Sequence, residues 1–197
     1  MMKKEFYVSS AELYVGCDEA GRGALAGPVV AGAVIFPKGY TSTSIKDSKK
    51  LTPKQREGLV QSIKSDAIAW GIGAASPSEI DEINILQASF LAMHRAIDAL
   101  GLRQEKVHLL IDGNQFKPYK SLTHSCHVRG DQYILSISAA SILAKTHRDR
   151  FMWQLAQRYP CYLWGKNKGY PTQAHRNAIL LHGITPHHRT SFRLCAA

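Results

Sequence analysis

The sequence of 197 residues predicts an α/β fold, in which strands come first and helices dominate the end of the chain. Three patterns carry this prediction. Residues 29–36 (VVAGAVIF) are an apolar run rich in β-branched side chains, as in a buried strand. Residues 84–100 place apolar side chains near helical spacing, and residues 133–158 continue a longer helical pattern. We therefore expect a single domain over residues 1–197, with a helical C-terminal part from about residue 160.

Five segments are predicted to be strands, because each is short and apolar and is bounded by glycine, proline or polar residues. In chain order they are residues 14–18, 29–36, 67–75, 107–111 and 122–128. The first and the fourth of these segments each run directly into an acidic residue.

The helices are predicted from the signals at their ends. Thr52-Pro53-Lys54-Gln55 is a capping box with proline at the first helical position, so a helix should continue to about residue 65. Ser76-Pro77-Ser78-Glu79 repeats this pattern for a short helix. Glycines end the helices predicted over residues 84–100 and 172–182. The first half of the helix over residues 133–158 should be buried, and its charged second half should emerge into solvent.

The charge of the chain is positive and uneven. The formal net charge is +10 and the pI is about 9.6, which favours a polyanionic partner. Residues 1–102 contain 11 Lys and Arg and 11 Asp and Glu, whereas residues 103–197 contain 14 basic residues and only four acids. The second half of the chain therefore carries the signal for nucleic-acid binding.

The cysteines and the apolar runs indicate a reduced, cytoplasmic protein. Cys17, Cys126, Cys161 and Cys195 are widely spaced and form no C-x-x-C pair, and no secretory segment is evident. A zinc site from Cys126, His127 and later histidines is disfavoured by this spacing. Residues 28–36 are too few to span a bilayer, so no membrane association is expected.

Four acidic residues form the candidate metal site: Asp18, Glu19, Asp112 and Asp131. Buried carboxylates are costly unless they are paired or bound to metal, and strand ends line the functional crevice of α/β sheets. Carboxylate oxygens suit Mg²⁺ or Mn²⁺, and two such ions can promote phosphodiester hydrolysis. Adjacent residues of a regular strand point to opposite faces, so we expect the strand to bend or end at Asp18 and Glu19. The alternative is a set of scattered, solvated acids.

A dinucleotide-binding motif is the competing interpretation of the same segment. Residues 21–26 fit G-x-G-x-x-A after a strand, and Asp47 lies about 20 residues later. That motif requires a helix to follow, to direct its N-terminus at the pyrophosphate. Pro28 and the strand pattern of residues 29–36 follow instead, so we reject this interpretation.

Other residues suit a nucleic-acid surface. Lys46, Lys49 and Lys50 lie in a polar loop where they can contact phosphates. Lys145, Arg148 and Asp149 share a helical spacing, although an ordinary solvated face would look the same. Residues 164–172 mix cations with aromatic side chains, as stacking platforms do. Residues 187–189 (HHR) are interpreted as surface.

Seven motifs, in this order, resemble bacterial ribonuclease HII, the type 2 ribonuclease H, over residues 15–192. They are Asp18-Glu19-Ala20-Gly21-Arg22-Gly23, Asp47-Ser48-Lys49-Lys50-Leu51, Ile111-Asp112-Gly113-Asn114, Gly130-Asp131, Ala139-Ala140-Ser141-Ile142-Leu143-Ala144-Lys145, Arg148-Asp149 and Lys168-Gly169-Tyr170-Pro171-Thr172. The resemblance implies a ribonuclease H-like fold: a five-stranded mixed sheet flanked by helices, with a small helical C-terminal region. It also implies a metal-dependent endoribonuclease that cuts RNA in RNA–DNA hybrids and DNA at embedded ribonucleotides, leaving 3′-hydroxyl and 5′-phosphate ends.

The resemblance also implies roles for individual residues. The four acids match the family's metal ligands for Mn²⁺ or Mg²⁺. Gly21, Arg22 and Gly23 match the segment that contacts the ribose 2′-hydroxyl, and Tyr170 matches the tyrosine that senses the RNA–DNA junction. Ser48, Lys49, Lys50, Lys145 and Arg148 are also predicted to bind the substrate, the cations because of the polar loop and the helical spacing described above.

Two other functions stay open on the sequence. One is a different carboxylate-metal nuclease of related fold, and the other is a non-catalytic module that binds nucleic acid through the basic half. We expect a monomer, and we find no evident motif for binding a sliding clamp.

Overall fold

The computed structural model describes residues 12–45, 52–102 and 106–194 and shows a mixed sheet of five strands in the order β3-β2-β1-β4-β5. Helices cover both faces of the sheet, so the predicted fold class is confirmed. The strands are β1 (Leu13–Ala20), β2 (Val29–Ile35), β3 (Ala69–Ala75), β4 (Val107–Asp112) and β5 (Thr123–His127).

The register of the sheet brings two acidic strand ends together. β2 runs antiparallel to β1 and to β3, whereas β4 runs parallel to β1 and to β5. Cys17 of β1 lies opposite Ile111 of β4, and each is followed directly by an aspartate. Because the two strands are parallel neighbours, Asp18 and Asp112 emerge side by side at the same end of the sheet.

Five helices and two 3₁₀ turns complete the described chain. Both predicted capping boxes are formed, and the 3₁₀ turns are Gly130–Gln132 and Pro160–Tyr162. None of the described helices is both long and apolar enough to cross a membrane. The helices are α1 (Pro53–Asp66), α2 (Pro77–Asp98), α3 (Leu135–Arg158), the single turn α4 (Trp164–Asn167) and α5 (Gln173–His182).

Helix α2 joins the two helices predicted on either side of residue 84. Asn84 interrupts it with a non-helical backbone (φ 66°, ψ 164°). The Asn84 side chain accepts hydrogen bonds from the backbone N–H groups of Leu86 (3.0 Å) and Gln87 (3.2 Å). Asn84 therefore begins the second half of the helix as an N-cap, where the sequence places a boundary.

The sheet is packed by α2 on one face and by α1 and α3 on the other. Helix α3 lies very close to the strands, because a Cβ on Gly16 or on Gly32 would fall within 2.5 Å of its backbone. Residues 135–144 of α3 are buried, as predicted. The second half of α3 does not simply emerge into solvent, because Met152 and Leu155 pack with Trp164 in the C-terminal helical part.

Candidate active site at the end of strand β1

Asp18 and Glu19 leave β1 on opposite faces of the sheet. β1 stays paired with β2 through both residues, which lie opposite Gly32 and Ala31. The expectation that the strand bends or ends here is therefore wrong, because the ladder with β2 continues to Ala20. Asp18 is 5% exposed and is hydrogen bonded to Ser141 of α3.

Glu19 faces an open cavity of about 270 Å³ on the α2 side. Its carboxylate pairs with the Arg22 guanidinium, at 3.3 Å between Oε1 and Nη1. Asp112 also lines this cavity, together with Asn114 and Phe90. Asp112 therefore lies between the two acids of β1: it lines the cavity that Glu19 faces, and it lies beside Asp18 at the end of the sheet.

Asp131 reaches Asp112 through a short turn after β5. Arg129 adopts a left-handed backbone (φ 57°) and precedes the 3₁₀ turn that contains Asp131. The Asp131 backbone N–H donates to Asp112 Oδ1 at 3.4 Å, and Asp131 itself is 1% exposed. Three chain segments therefore bring the four predicted acids to one end of the sheet.

The carboxylates of this site repel one another in a buried setting. Burial raises the pKa of Asp18 well above its ordinary value, and the charges of Glu19 and Asp112 raise it further. Burial also raises the pKa of Glu19, an effect that the nearby Arg22 partly offsets. The site therefore concentrates negative charge that a bound cation would stabilise.

The residues fit a divalent metal by their chemistry. Desolvated carboxylate oxygens are the ligands that Mg²⁺ and Mn²⁺ prefer. Within the described ranges, no three acidic, histidine or cysteine side chains already form a close ligand cluster.

The glycine turn after β1 is packed against a buried arginine. Gly21 has φ +97°, and a Cβ on this residue would lie 2.1 Å from Arg148 Nε. No atom lies within 4 Å of a Cβ built on Gly23. The exposed side chain of Arg22 lies between them. A side chain at position 21 is therefore disfavoured both by the positive φ and by the close contact with Arg148, whereas position 23 faces open space.

Arg148 is placed differently from the sequence prediction. It is fully buried, and its guanidinium donates to the backbone carbonyls of Pro28 (2.9 Å), Lys168 (3.0 Å) and Ala26 (3.0 Å). The predicted place of Arg148 on an exposed nucleic-acid surface is therefore wrong, because the side chain is fully buried and each guanidinium nitrogen donates to a backbone carbonyl. Arg148 instead joins the segment after the glycine turn to the loop that carries Tyr170.

Tyr170 lies beside α3, close to the helix turn that binds Asp18. Its ring centroid is 5.5 Å from Lys145 Nζ and 5.3 Å from Arg148 Cζ. Lys145 follows Ser141 by four residues, which is about 6 Å along a helix. Lys145 also pairs with Asp149 (2.8 Å), whose other partner is Arg56 (3.1 Å). Tyr170, Lys145 and the acids therefore occupy the same side of the molecule.

Three predicted substrate-binding residues, Ser48, Lys49 and Lys50, lie outside the described residues, as does Lys46. Their predicted phosphate contacts remain predictions.

Arg189 is the residue that sequence reasoning missed. The sequence pattern places it at the surface with His187 and His188, yet Arg189 is fully buried and His188 is 2% exposed. Arg189 donates hydrogen bonds to the carbonyls of Gly21 and Arg22, both at 2.8 Å. A hydrogen bond to a backbone carbonyl requires no particular partner residue, so a single sequence carries no signal for it.

Comparison with known proteins decides the family. The family model for ribonuclease HII matches residues 15–195, which is most of the chain. The chain belongs to the ribonuclease HII family. A ribonuclease HII of Bacteroides thetaiotaomicron is 56% identical over 188 residues, covering 95% of this chain and 93% of the relative. A ribonuclease HII of Bacteroides fragilis is 58% identical over 179 residues, covering 91% and 88%.

Solved structures agree with this assignment. The ribonuclease H2 of Pyrococcus horikoshii is 28% identical, with a TM-score of 0.71 over 92% of this chain and 94% of that chain. Bst-RNase HIII, solved with Mn²⁺, has a TM-score of 0.74 at 17% identity and covers 94% of this chain and 68% of its own, so it supports the fold alone.

Membership in the ribonuclease HII family makes the chain a hydrolase, an endoribonuclease that acts on RNA–DNA hybrids. The family depends on a divalent metal. The predicted family, fold and enzyme class are thereby confirmed. Neither the alternative nuclease nor the non-catalytic module agrees with this membership.

Proposed function

We propose that the end of β1 is the catalytic centre, with Asp18, Glu19, Asp112 and Asp131 as the residues that hold the divalent metal. One observation carries the proposal: burial raises the pKa of Asp18, and the charges that raise it further are those of the other three acids. Perturbed carboxylates gathered in a cleft are typical of functional sites. We propose Mn²⁺ or Mg²⁺ as the ion, since the donors are carboxylates.

The chain's own residues orient these ligands. Ser141 holds Asp18 from α3, and the Asp131 backbone holds Asp112. Arg22 holds Glu19 at the cavity. The four carboxylates would hold the divalent ion, which when bound would supply activation of water and stabilisation of the leaving oxygen in phosphodiester hydrolysis. We propose that the products carry 3′-hydroxyl and 5′-phosphate ends.

The substrate is proposed to lie across the glycine turn and Tyr170. Backbone N–H groups of residues 21–23 can approach a ribose 2′-hydroxyl closely, and this hydroxyl is the group that distinguishes RNA from DNA. The Tyr170 ring is proposed to pack on the sugar next to the ribonucleotide. Lys145, Ser48, Lys49 and Lys50 are proposed to contact phosphates. Arg148 serves by holding these two segments together.

The proposal includes incision of duplex DNA at an embedded ribonucleotide, which is typical of the family. It also includes action as a monomer in the cytoplasm. The cytoplasmic location is supported by the spacing of the cysteines in the sequence.

Three duplexes test the proposal: an RNA–DNA hybrid, DNA with one ribonucleotide, and DNA alone, each with Mg²⁺ or with Mn²⁺. We expect cleavage of the RNA–DNA hybrid and of the DNA with one ribonucleotide, and no cleavage of DNA alone. End-labelling and electrophoresis identify the chemical groups at the ends of the products. Cleavage of DNA alone would contradict the selection of ribose. Binding of all three duplexes without cleavage would contradict the assignment of a catalytic centre.

A further inference from the structure

Arg189 is a buried cation directly beneath the glycine turn. Its guanidinium donates to the carbonyl of Gly21 through Nη2 (2.8 Å) and to that of Arg22 through Nη1 (2.8 Å). It also donates to the Gly27 carbonyl through Nε (3.0 Å) and Nη2 (2.8 Å). Three carbonyls at the two ends of the turn segment therefore share one planar fork.

These contacts fix the direction of the neighbouring N–H groups. A trans peptide is planar, and its C=O and N–H bonds point in opposite directions. Because Arg189 holds the carbonyls of Gly21 and Arg22 inward, the N–H groups of Arg22 and Gly23 must point away from it. Gly23 borders open space, so these donors face the side from which a substrate can approach.

The charge of Arg189 adds to this effect. A guanidinium remains protonated in proteins, and hydrogen bonds from a charged donor are stronger than those from a neutral one. A carbonyl that accepts such a bond polarises its peptide group, which strengthens the N–H donor of the same group.

We propose that Arg189 is a positioning residue for ribose selection: through the carbonyls of Gly21 and Arg22, it directs the N–H groups of Arg22 and Gly23 at the ribose 2′-hydroxyl. The inference rests on the proposed role of the glycine turn, and it adds to that role a residue 167 positions after Arg22 in the sequence.

Asp81 of α2 secures the segment that carries Arg189. Asp81 Oδ2 accepts from the backbone N–H and the hydroxyl of Thr190, both at 2.8 Å. Asp81 Oδ1 accepts from the backbone N–H (2.9 Å) and the hydroxyl (2.6 Å) of Ser191. Because Thr190 and Ser191 follow Arg189 directly, these four hydrogen bonds anchor its backbone to α2.

The test measures binding without cleavage. Dissociation constants are determined in Ca²⁺ for two duplexes that differ only by one ribonucleotide in place of a deoxyribonucleotide, and their ratio is the ribose preference. The variants are Arg189→Lys, which keeps the charge and loses the fork, and Arg189→Met, which loses both. Arg176→Met is the matched control, because Arg176 also donates to two backbone carbonyls, those of Arg193 and Leu194.

We expect Arg189→Lys to lower the ribose preference by about tenfold, as for the loss of one or two hydrogen bonds, and Arg189→Met to lower it further. Affinity for the all-DNA duplex should stay within about twofold, because the phosphate contacts proposed above come from residues outside the turn. Arg176→Met should keep the wild-type preference. A purely structural role would instead lower both affinities alike.

Asp81→Asn provides a milder variant, in case Arg189 variants do not fold. It keeps the size of the side chain and weakens the four hydrogen bonds, so a smaller loss of ribose preference is expected. An unchanged preference in folded Arg189→Lys, or in Asp81→Asn where the arginine variants do not fold, overturns the inference. A wild-type protein with no ribose preference overturns the proposed role of the turn itself, and the inference with it.

Discussion

Two groups of charged side chains lie close together in this protein and are stabilised in contrasting ways. The first is the set of acids at the end of β1, and the second is the pair of arginines that contact the turn after β1. At the end of β1, burial and the charges of Glu19 and Asp112 raise the pKa of Asp18 well above its ordinary value. Beneath the following turn, Arg148 and Arg189 are fully buried, yet they donate seven hydrogen bonds to backbone carbonyls. The arginines are hydrogen bonded to the chain itself, whereas the acids are proposed to bind a divalent cation.

In the proposed function, this difference separates the acids that would hold the metal from the arginines that hold the segments around them. Unpaired buried charge costs several kcal/mol, so it persists where a ligand balances it. Charge that is fully hydrogen bonded to the backbone fixes the conformation of the segments that it joins. Removing an acid should therefore abolish activity and spare the fold, whereas removing a buried arginine should first destabilise the fold.

The largest effect is expected at the acids. Asp112→Asn keeps the size of the side chain but removes a charge that is proposed to bind the metal, so kcat/KM on an RNA–DNA hybrid should fall by a factor on the order of a thousand or more. The melting temperature without metal should not fall, because repulsion with Asp18 and Glu19 is relieved. Asp98→Asn is the control, since Asp98 is an exposed acid paired with Lys120. Near wild-type turnover in Asp112→Asn would falsify the assignment of this site.

The buried arginines should show the opposite pattern. Arg148→Met leaves three carbonyls without their donor and should lower the free energy of unfolding by about 3–5 kcal/mol. Arg150→Met, two residues further on the same helix, breaks an exposed ion pair with Glu57 and should cost at most about 1 kcal/mol. Urea denaturation measures both. Equal losses in the two variants would show that burial of Arg148 adds nothing.

The sequence predicted the first group far better than the second. Acids at strand ends leave a pattern of residue types, so Asp18, Asp112 and Asp131 could be found from the end of each apolar segment and from the family's motifs. The five strands and most helix bounds followed from apolar runs and capping boxes. Arg148 and Arg189 could not be placed, because their partners are backbone carbonyls of any residue. The direction of Glu19 was also missed, since continuation of β1 depends on pairing with β2.

The acids at the end of β1 should also make the stability of the protein depend on pH. The folded-state pKa of Asp18 and of Glu19 is raised, so their contribution to stability is present below pH about 4, the ordinary carboxyl value, and is lost as pH rises through the raised values. Without metal, wild type should therefore lose stability relative to Asp18→Asn as pH rises above about 4. Thermal unfolding in EDTA, compared between the two proteins at each pH, measures this difference.

Added Mg²⁺ or Mn²⁺ should reverse the trend, because the metal binds the ionised carboxylates and protons compete with it. The apparent metal affinity should fall as the pH is lowered. Because the pKa of Asp18 is raised, this fall should begin at a higher pH than for a site made of ordinary carboxylates. A difference between wild type and Asp18→Asn that does not change with pH would mean that Asp18 is not desolvated as described.

The smallest effect is expected at the Tyr170 ring, which lies beside the buried Arg148. The ring contacts Lys145 and Arg148, and His175 Nδ1 lies 3.0 Å from the Tyr170 carbonyl, so the backbone is held independently of the side chain. Tyr170→Ala should therefore spare the fold and lower kcat/KM on DNA with one ribonucleotide by about tenfold, as for the loss of one stacking contact. Tyr170→Phe keeps the ring and should fall between Tyr170→Ala and wild type. Tyr40→Phe, which removes a hydroxyl bonded to Asp66, is the matched control and should leave kcat/KM unchanged. Equal rates for wild type and Tyr170→Ala on this substrate would leave Tyr170 as a packing residue, and the turn held by Arg189 would then select ribose without it.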